Sequence, residues 1–202
     1  MKTANTLVWG SAWALLLLLN ACSSGFTARE REIIEKSDSL MYVTEMPADS
    51  SILRTRCADF GKAELDSPLL RTLLDKMRYT VQDPSQDGVG IAAPQVGIGR
   101  RAICVQRFDK EGEPFECYVN IRIDSLSADT VRGREGCLSI PGLRGMVTRS
   151  RSIRISYLDI DSRERLSEKV DGFTAVIFQH ECDHLDGVLY TDRADSLWVS
   201  ER

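Results

Sequence analysis

The chain has 202 residues, 43 % of them apolar and 28 % charged, which suits one globular domain around a single core and excludes a disordered or repetitive protein. The formal net charge is −4 and the 26 Lys and Arg are scattered. A clustered basic surface of the kind phosphate contacts require is absent from the sequence, so no nucleic-acid partner is expected.

At the N-terminus, Lys2 precedes an apolar run from Leu7 to Leu19, short for a membrane span and typical of a secretion signal. Leu19-Asn20-Ala21-Cys22 resembles the lipobox of bacterial lipoproteins, which implies cleavage before Cys22 and acylation of that cysteine. A plain signal peptide with an incidental Cys22 is the alternative. The expected organisation is a signal over 1–21, a lipidated Cys22 with a polar tether over 22–49, and a folded domain over 50–202. The protein would then be exported and lipid-anchored, on the periplasmic side of the inner or outer membrane, with membrane lipid as a partner through Cys22.

Residues 46–66 read as irregular chain with a short apolar piece at Ile52-Leu53. Ser67-Pro68 starts a helix, with Ser as cap and Pro at the first helical position. Leu70, Leu74, Met77 and Val81 continue it at helical spacing. Asp83 to Gly88 is a loop leading into Gly88-Val89-Gly90-Ile91-Ala92-Ala93-Pro94-Gln95.

Ala102–Gln106 and Phe115–Ile123 are β in character. A two-residue turn at Lys110-Glu111 would set Cys104 opposite Cys117. Two buried thiols are expected there, because directly opposed strand positions suit disulfide geometry poorly; a disulfide is the alternative in an exported protein. A loop then carries Arg134-Glu135-Gly136-Cys137-Leu138-Ser139. Strands follow around Val147-Thr148, over Ile153–Leu158 and over Arg165–Val170.

Asp171-Gly172 opens a final helix, which Gly187 is placed to end. Phe173, Ile177, His180 and His184 fall on one stripe of it. His180 and His184 are the two histidines of the chain, and four positions on a helix put both imidazoles within reach of one metal ion, with Glu181 close enough to handle a proton. A catalytic metal normally takes three protein ligands. The strongest candidate for the third is Cys137, whose thiolate suits Zn²⁺ or Fe²⁺ and whose glycine-flanked stretch allows close approach.

The runs GVGIAAPQ (88–95), EGCLS (135–139) and QHECDH (179–184) together resemble the three signature motifs of the peptide deformylase family. The resemblance covers roughly residues 50–192. It implies an α+β fold of mixed, mainly antiparallel β-sheets packed around a central metal-binding helix. It implies hydrolysis of the N-formyl group from formyl-methionyl peptides, with Cys137, His180 and His184 holding Fe²⁺, replaceable by Zn²⁺, Ni²⁺ or Co²⁺. Glu181 would be general base and then general acid, and Gln95 with the backbone N–H of Leu138 would donate to the developing oxyanion. Val89, Gly90, Val176 and Ile177 would line the pocket or the bound peptide; the alternative is a flexible turn at Gly88 and Gly90 and plain helix core at Val176 and Ile177. A monomer acting on N-formyl-methionyl peptides is expected. Asp183 reads as a supporting carboxylate, Cys182 as a buried thiol, and Glu135 as a partner of Arg144 or Arg149.

Overall fold

A computed structural model of the chain describes residues 25–36, 38–86 and 88–200; the expected signal and Cys22 lie outside these. In chain order the elements are α1 (Ala28–Lys36), the single turns α2 (Ser50–Leu53) and α3 (Lys62–Leu65), α4 (Pro68–Gln82), β1 (Gly90–Ala92), a 3-10 turn (Ala93–Val96), β2 (Ala102–Gln106), β3 (Phe115–Leu126), β4 (Thr130–Cys137), β5 (Ile140–Ser150), β6 (Ser152–Leu158), β7 (Arg165–Asp171), α5 (Gly172–Leu185), a 3-10 turn (Tyr190–Asp192) and β8 (Ser196–Val199).

Five strands form one antiparallel sheet in the order β1-β2-β3-β6-β7, and three form a second in the order β4-β5-β8. The larger sheet is covered on both faces. Along β2, Ala102 and Cys104 join the cluster under α4 with Leu70, Leu74, Met77 and Val81, while Ile103 and Val105 join the cluster under α5 with Ala175, Phe178, Cys182 and Leu185. The period-two alternation of a strand therefore serves two helices at once, and Ala102 to Val105 are all fully buried. α4 starts as expected, with the Ser67 hydroxyl accepting from Leu69 N at 3.3 Å and Pro68 in the first turn. On β3, Asn120 at φ 51° sits where the register to β6 shifts, and its side chain bridges Phe60 N and O at 2.7 and 3.0 Å. That bulge ties the chain before α4 to the sheet.

Five expectations need correction. The stretch 22–49 is more than a tether, because α1 packs into the α4 core, with Phe26, Ile34 and Met41 buried. The sequence carried a signal for it, since Thr27 and Glu30 form a reciprocal N-terminal box at 2.7 and 3.1 Å. The segment before Cys137 is strand β4, whose glycines and charges hide its alternation, so Glu135 and Cys137 sit on a sheet. The hairpin between β2 and β3 keeps the Cys104–Cys117 register through a longer loop, Arg107 to Pro114, rather than a two-residue turn. Cys104 and Cys117 are bonded as a disulfide across that pair rather than being two thiols. Finally, β8 extends the second sheet near the C-terminus, where the sequence shows no strand pattern.

Candidate active site

α5 runs under the large sheet and is buried on most of its circumference, from Thr174 to Leu185. Phe173 departs from the expected apolar stripe: it is 57 % exposed and rests against Phe108, ring centroids 5.4 Å apart. The Gln179 side chain fixes the helix to β5, accepting from Ser150 N at 3.0 Å and donating to Ser150 O at 2.8 Å. Directly after Gln179 comes His180 and, one turn on, His184, their ring centroids 5.1 Å apart. Cys137, at the end of β4, brings its Sγ to 3.2 Å from His184 Nε2. The ligand atoms of Cys137, His180 and His184 all lie within 4.8 Å of one another.

That set fits a divalent transition metal. One sulfur and two imidazole nitrogens are borderline-soft donors, and three protein ligands leave a position open. His180 Nδ1 lies 2.8 Å from Glu135 Oε2, which turns Nε2 toward the shared point and holds the tautomer a ligand needs. Burial keeps His184 well below the ordinary imidazole range, in the neutral form that ligates. Glu135 is in turn held by Arg149 at 2.8 and 3.0 Å. Burial would raise its pKa, but the bonds from Arg149 and His180 prevail and hold it at about 2. Arg149 also reaches Asp183 at 2.5 Å, and Asp183 takes a two-pronged bond from Arg193 at 2.6 Å. Of the two partners expected for Glu135, the structure selects Arg149. Arg144 instead lies over Gly136, where a Cβ would come within 2.6 Å of its guanidinium.

Glu181 is 4 % exposed, and its Oε2 has no hydrogen-bond partner among the protein atoms. Burial pushes its pKa up to about 7, with Glu135 adding and His180 and Arg149 opposing. Gly90 is required beside it: a Cβ there would fall 2.5 Å from Glu181 Oε1 and 2.9 Å from Ile177 Cγ2. This glycine belongs to strand β1 and serves close approach rather than a flexible turn.

Gln95 is buried on the 3-10 turn after β1. Its Oε1 accepts from Ala92 N at 2.8 Å, so Nε2 is the end that faces Cys137 Sγ at 3.5 Å and Ser139 Oγ at 3.2 Å. Leu138 and Ser139 make the turn that joins β4 to β5, directly after the cysteine. Val89 lines a groove of about 450 Å³ with Val81, Gly88, Gln106 and Phe115, beside β1 rather than over the histidines. Val176 is half-buried and Ile177 is in the core under Gly90. Cys182 is a free, buried thiol, as expected. The ring of Tyr190, which the motifs do not flag, stacks on His180 at 6.1 Å.

A buried carboxylate and an amide donor converging on a Cys-His-His set, in an α+β frame, define a metallohydrolase of the kind that cleaves an amide. The chain matches the family model described as polypeptide deformylase over residues 41–199, and it belongs to that family. A peptide deformylase of Leptospira biflexa is 35 % identical over 173 residues, 82 % of this chain and 88 % of that one. The crystal structure of a class I type b peptide deformylase from Acinetobacter baumannii with Met-Ala-Ser bound superposes with a TM-score of 0.68 at 36 % identity, covering 76 % of this chain and 98 % of that one. The peptide deformylase of Thermotoga maritima gives 0.67 at 35 %, covering 77 % and 99 %.

Proposed function

We propose that this site removes the N-formyl group from formyl-methionyl peptides, releasing formate and a free N-terminal Met. The observation that carries the reading is the buried, unpartnered Glu181 carboxylate beside a Cys-His-His set faced by Gln95 Nε2. A divalent metal on Cys137, His180 and His184, Fe²⁺ with Zn²⁺, Ni²⁺ or Co²⁺ able to replace it, supplies Lewis acidity toward the formyl carbonyl and water. Glu181 takes the proton of the attacking water and returns it to the departing amine nitrogen as the carbon–nitrogen bond breaks. Gln95 Nε2 and the backbone N–H of Leu138 donate to the carbonyl oxygen as it gains charge. Gly90 leaves the space in which a formyl carbon, bearing only hydrogen beyond its carbonyl, can approach Glu181. Val89, Val176 and Ile177 are assigned to the apolar surroundings of the Met side chain and peptide. The Met-Ala-Ser complex of the Acinetobacter relative supports a peptide ligand.

Replacing Glu181 with Gln should lower kcat for formate release from formyl-Met-Ala-Ser by roughly 10²–10⁴-fold with metal content unchanged. Full activity in that variant would overturn the mechanism.

Residues 1–21 are read as the export signal and Cys22 as the acylated residue, which places the enzyme on the periplasmic side of a membrane. The Cys104–Cys117 disulfide supports an oxidising compartment on grounds independent of the lipobox. Labelled fatty acid should enter the wild-type chain in bacterial cells and be absent from Cys22→Ala; equal labelling of both would remove Cys22 as the anchor.

A further inference from the structure

Residues 25–40 precede the span matched by the family, 41–199, yet they are built against the turn that carries Gln95. That turn ends at Gly97, in the left-handed region at φ 80°, and a Cβ on Gly97 would meet Ile33 Cδ1 of α1 at 3.2 Å. Val96 and Ile98, on either side of Gly97, share a core cluster with Ile34, and Ile33 packs against it. Just beyond, Arg100 is held by Glu30 of α1 at 2.8 Å and by Glu64 at 3.0 Å, with all three side chains largely buried. α1 itself is seated on α4, where Lys76 Nζ donates to Ile34 O at 2.6 Å. The chain then returns to the same turn from the other side, with Thr44 N donating to Gln95 O at 2.8 Å and Thr44 Oγ1 to Pro94 O at 3.1 Å.

We propose that α1, through Ile33 against Gly97 and Glu30 on Arg100, is a positioning element for Gln95. The inference rests on the reading of Gln95 as oxyanion donor. Because Gln95 Oε1 is tied to Ala92 N of its own loop, Nε2 follows any shift of the loop backbone. The family-matched part of the chain holds the loop through Thr44; α1 adds a second, apolar brace at Gly97. A displacement of about 1 Å in such a group can cost up to roughly 10²-fold in rate, and loosening one of two braces should cost less than that.

The test is a double-mutant cycle in the full chain, with Ile33→Asp and the milder Ile33→Ala each made alone and with Gln95→Ala. Ile33→Asp should lower kcat about tenfold, leave KM within about twofold and leave metal content unchanged. In the Gln95→Ala background the same change should cost less than about twofold, because the group it positions is gone. An unchanged kcat in the Ile33 variants, or the same fold-loss in both backgrounds, would overturn the inference and leave α1 as a purely structural helix. If Ile33→Asp does not fold, Ile33→Ala carries the same comparison with a smaller expected loss. A silent Gln95→Ala is a different failure, since it removes the proposed role of Gln95 itself.

Discussion

Two buried arginines touch α5, Arg107 at the Phe178 ring and Arg149 at Asp183, and their surroundings separate a catalytic support from a structural one. Arg149 is 4 % exposed and bonds Glu135 and Asp183, whose side chains are 8 % and 12 % exposed. Through Glu135 it reaches the metal-facing His180. Arg107 is 1 % exposed, with Tyr118 and Phe178 rings beside it, but its carboxylates are more open, Asp109, Glu116 and Glu168 having side chains 28 %, 33 % and 26 % exposed. Both guanidiniums are satisfied. They differ in what is left behind when one is removed, since Glu135 would stay buried with no other guanidinium and Asp183 with Arg193 alone, whereas the partners of Arg107 are open to water.

Arg149→Met should therefore give the largest effect. Buried Glu135 loses its guanidinium while Asp183 keeps only Arg193, which costs about 3–5 kcal/mol of stability. With Glu135 no longer held on His180, metal affinity should also fall roughly 10–100-fold. Thermal unfolding and metal titration of the variant measure the two losses separately. An Arg149→Met protein as stable and as metal-avid as the wild type would break the comparison.

Arg107→Met should cost less, about 1–3 kcal/mol, because the freed carboxylates can be hydrated. Metal affinity and kcat should be unaffected, because no member of that group touches a ligand. Loss of metal in this variant would show that the two networks are coupled through α5. The smallest effect is in its pH dependence. The hydrogen bond from Arg107 holds the Asp109 carboxyl below its ordinary value of 3.8, against burial. A depressed carboxyl contributes stability that is complete above that ordinary value and is lost as the pH falls below it. Denaturation midpoints between about pH 5 and 2 should thus fall less steeply in Arg107→Met than in the wild type. Parallel curves would mean that the Asp109 shift has another origin.

The parts of the fold that are legible in the sequence are those with strong local periodicity. α4 shows its cap, its proline and its apolar spacing within fifteen residues. β2 is a run of apolar residues whose limits match the expected ones. The ligand pair on α5 is legible because the spacing of His180 and His184 is itself the geometry. β4 is obscured because Gly133, Arg134 and Gly136 interrupt its pattern, and pairing with β5, a long-range contact, is what makes it a strand. β8 likewise exists as a partner of β5. α1 was discernible from its Thr27–Glu30 box, but its few apolar residues become core only when α4 lies beside them.

The sequence by itself determined the chemistry available here: two imidazoles at helical spacing, a glutamate directly after the first of them, a thiol flanked by glycine, and an amide in a tight turn. Each is a property of residue type and local spacing. Only the tertiary structure decided which groups support the others. It set Glu135 and Arg149 behind His180, placed Gly90 against Glu181, joined Cys104 to Cys117 and seated α1 beside the Gln95 turn. The reason is that hydrogen bonds, burial and close approach depend on atoms brought together from distant parts of the chain, and a carboxylate acquires its partner and its pKa only once those atoms surround it.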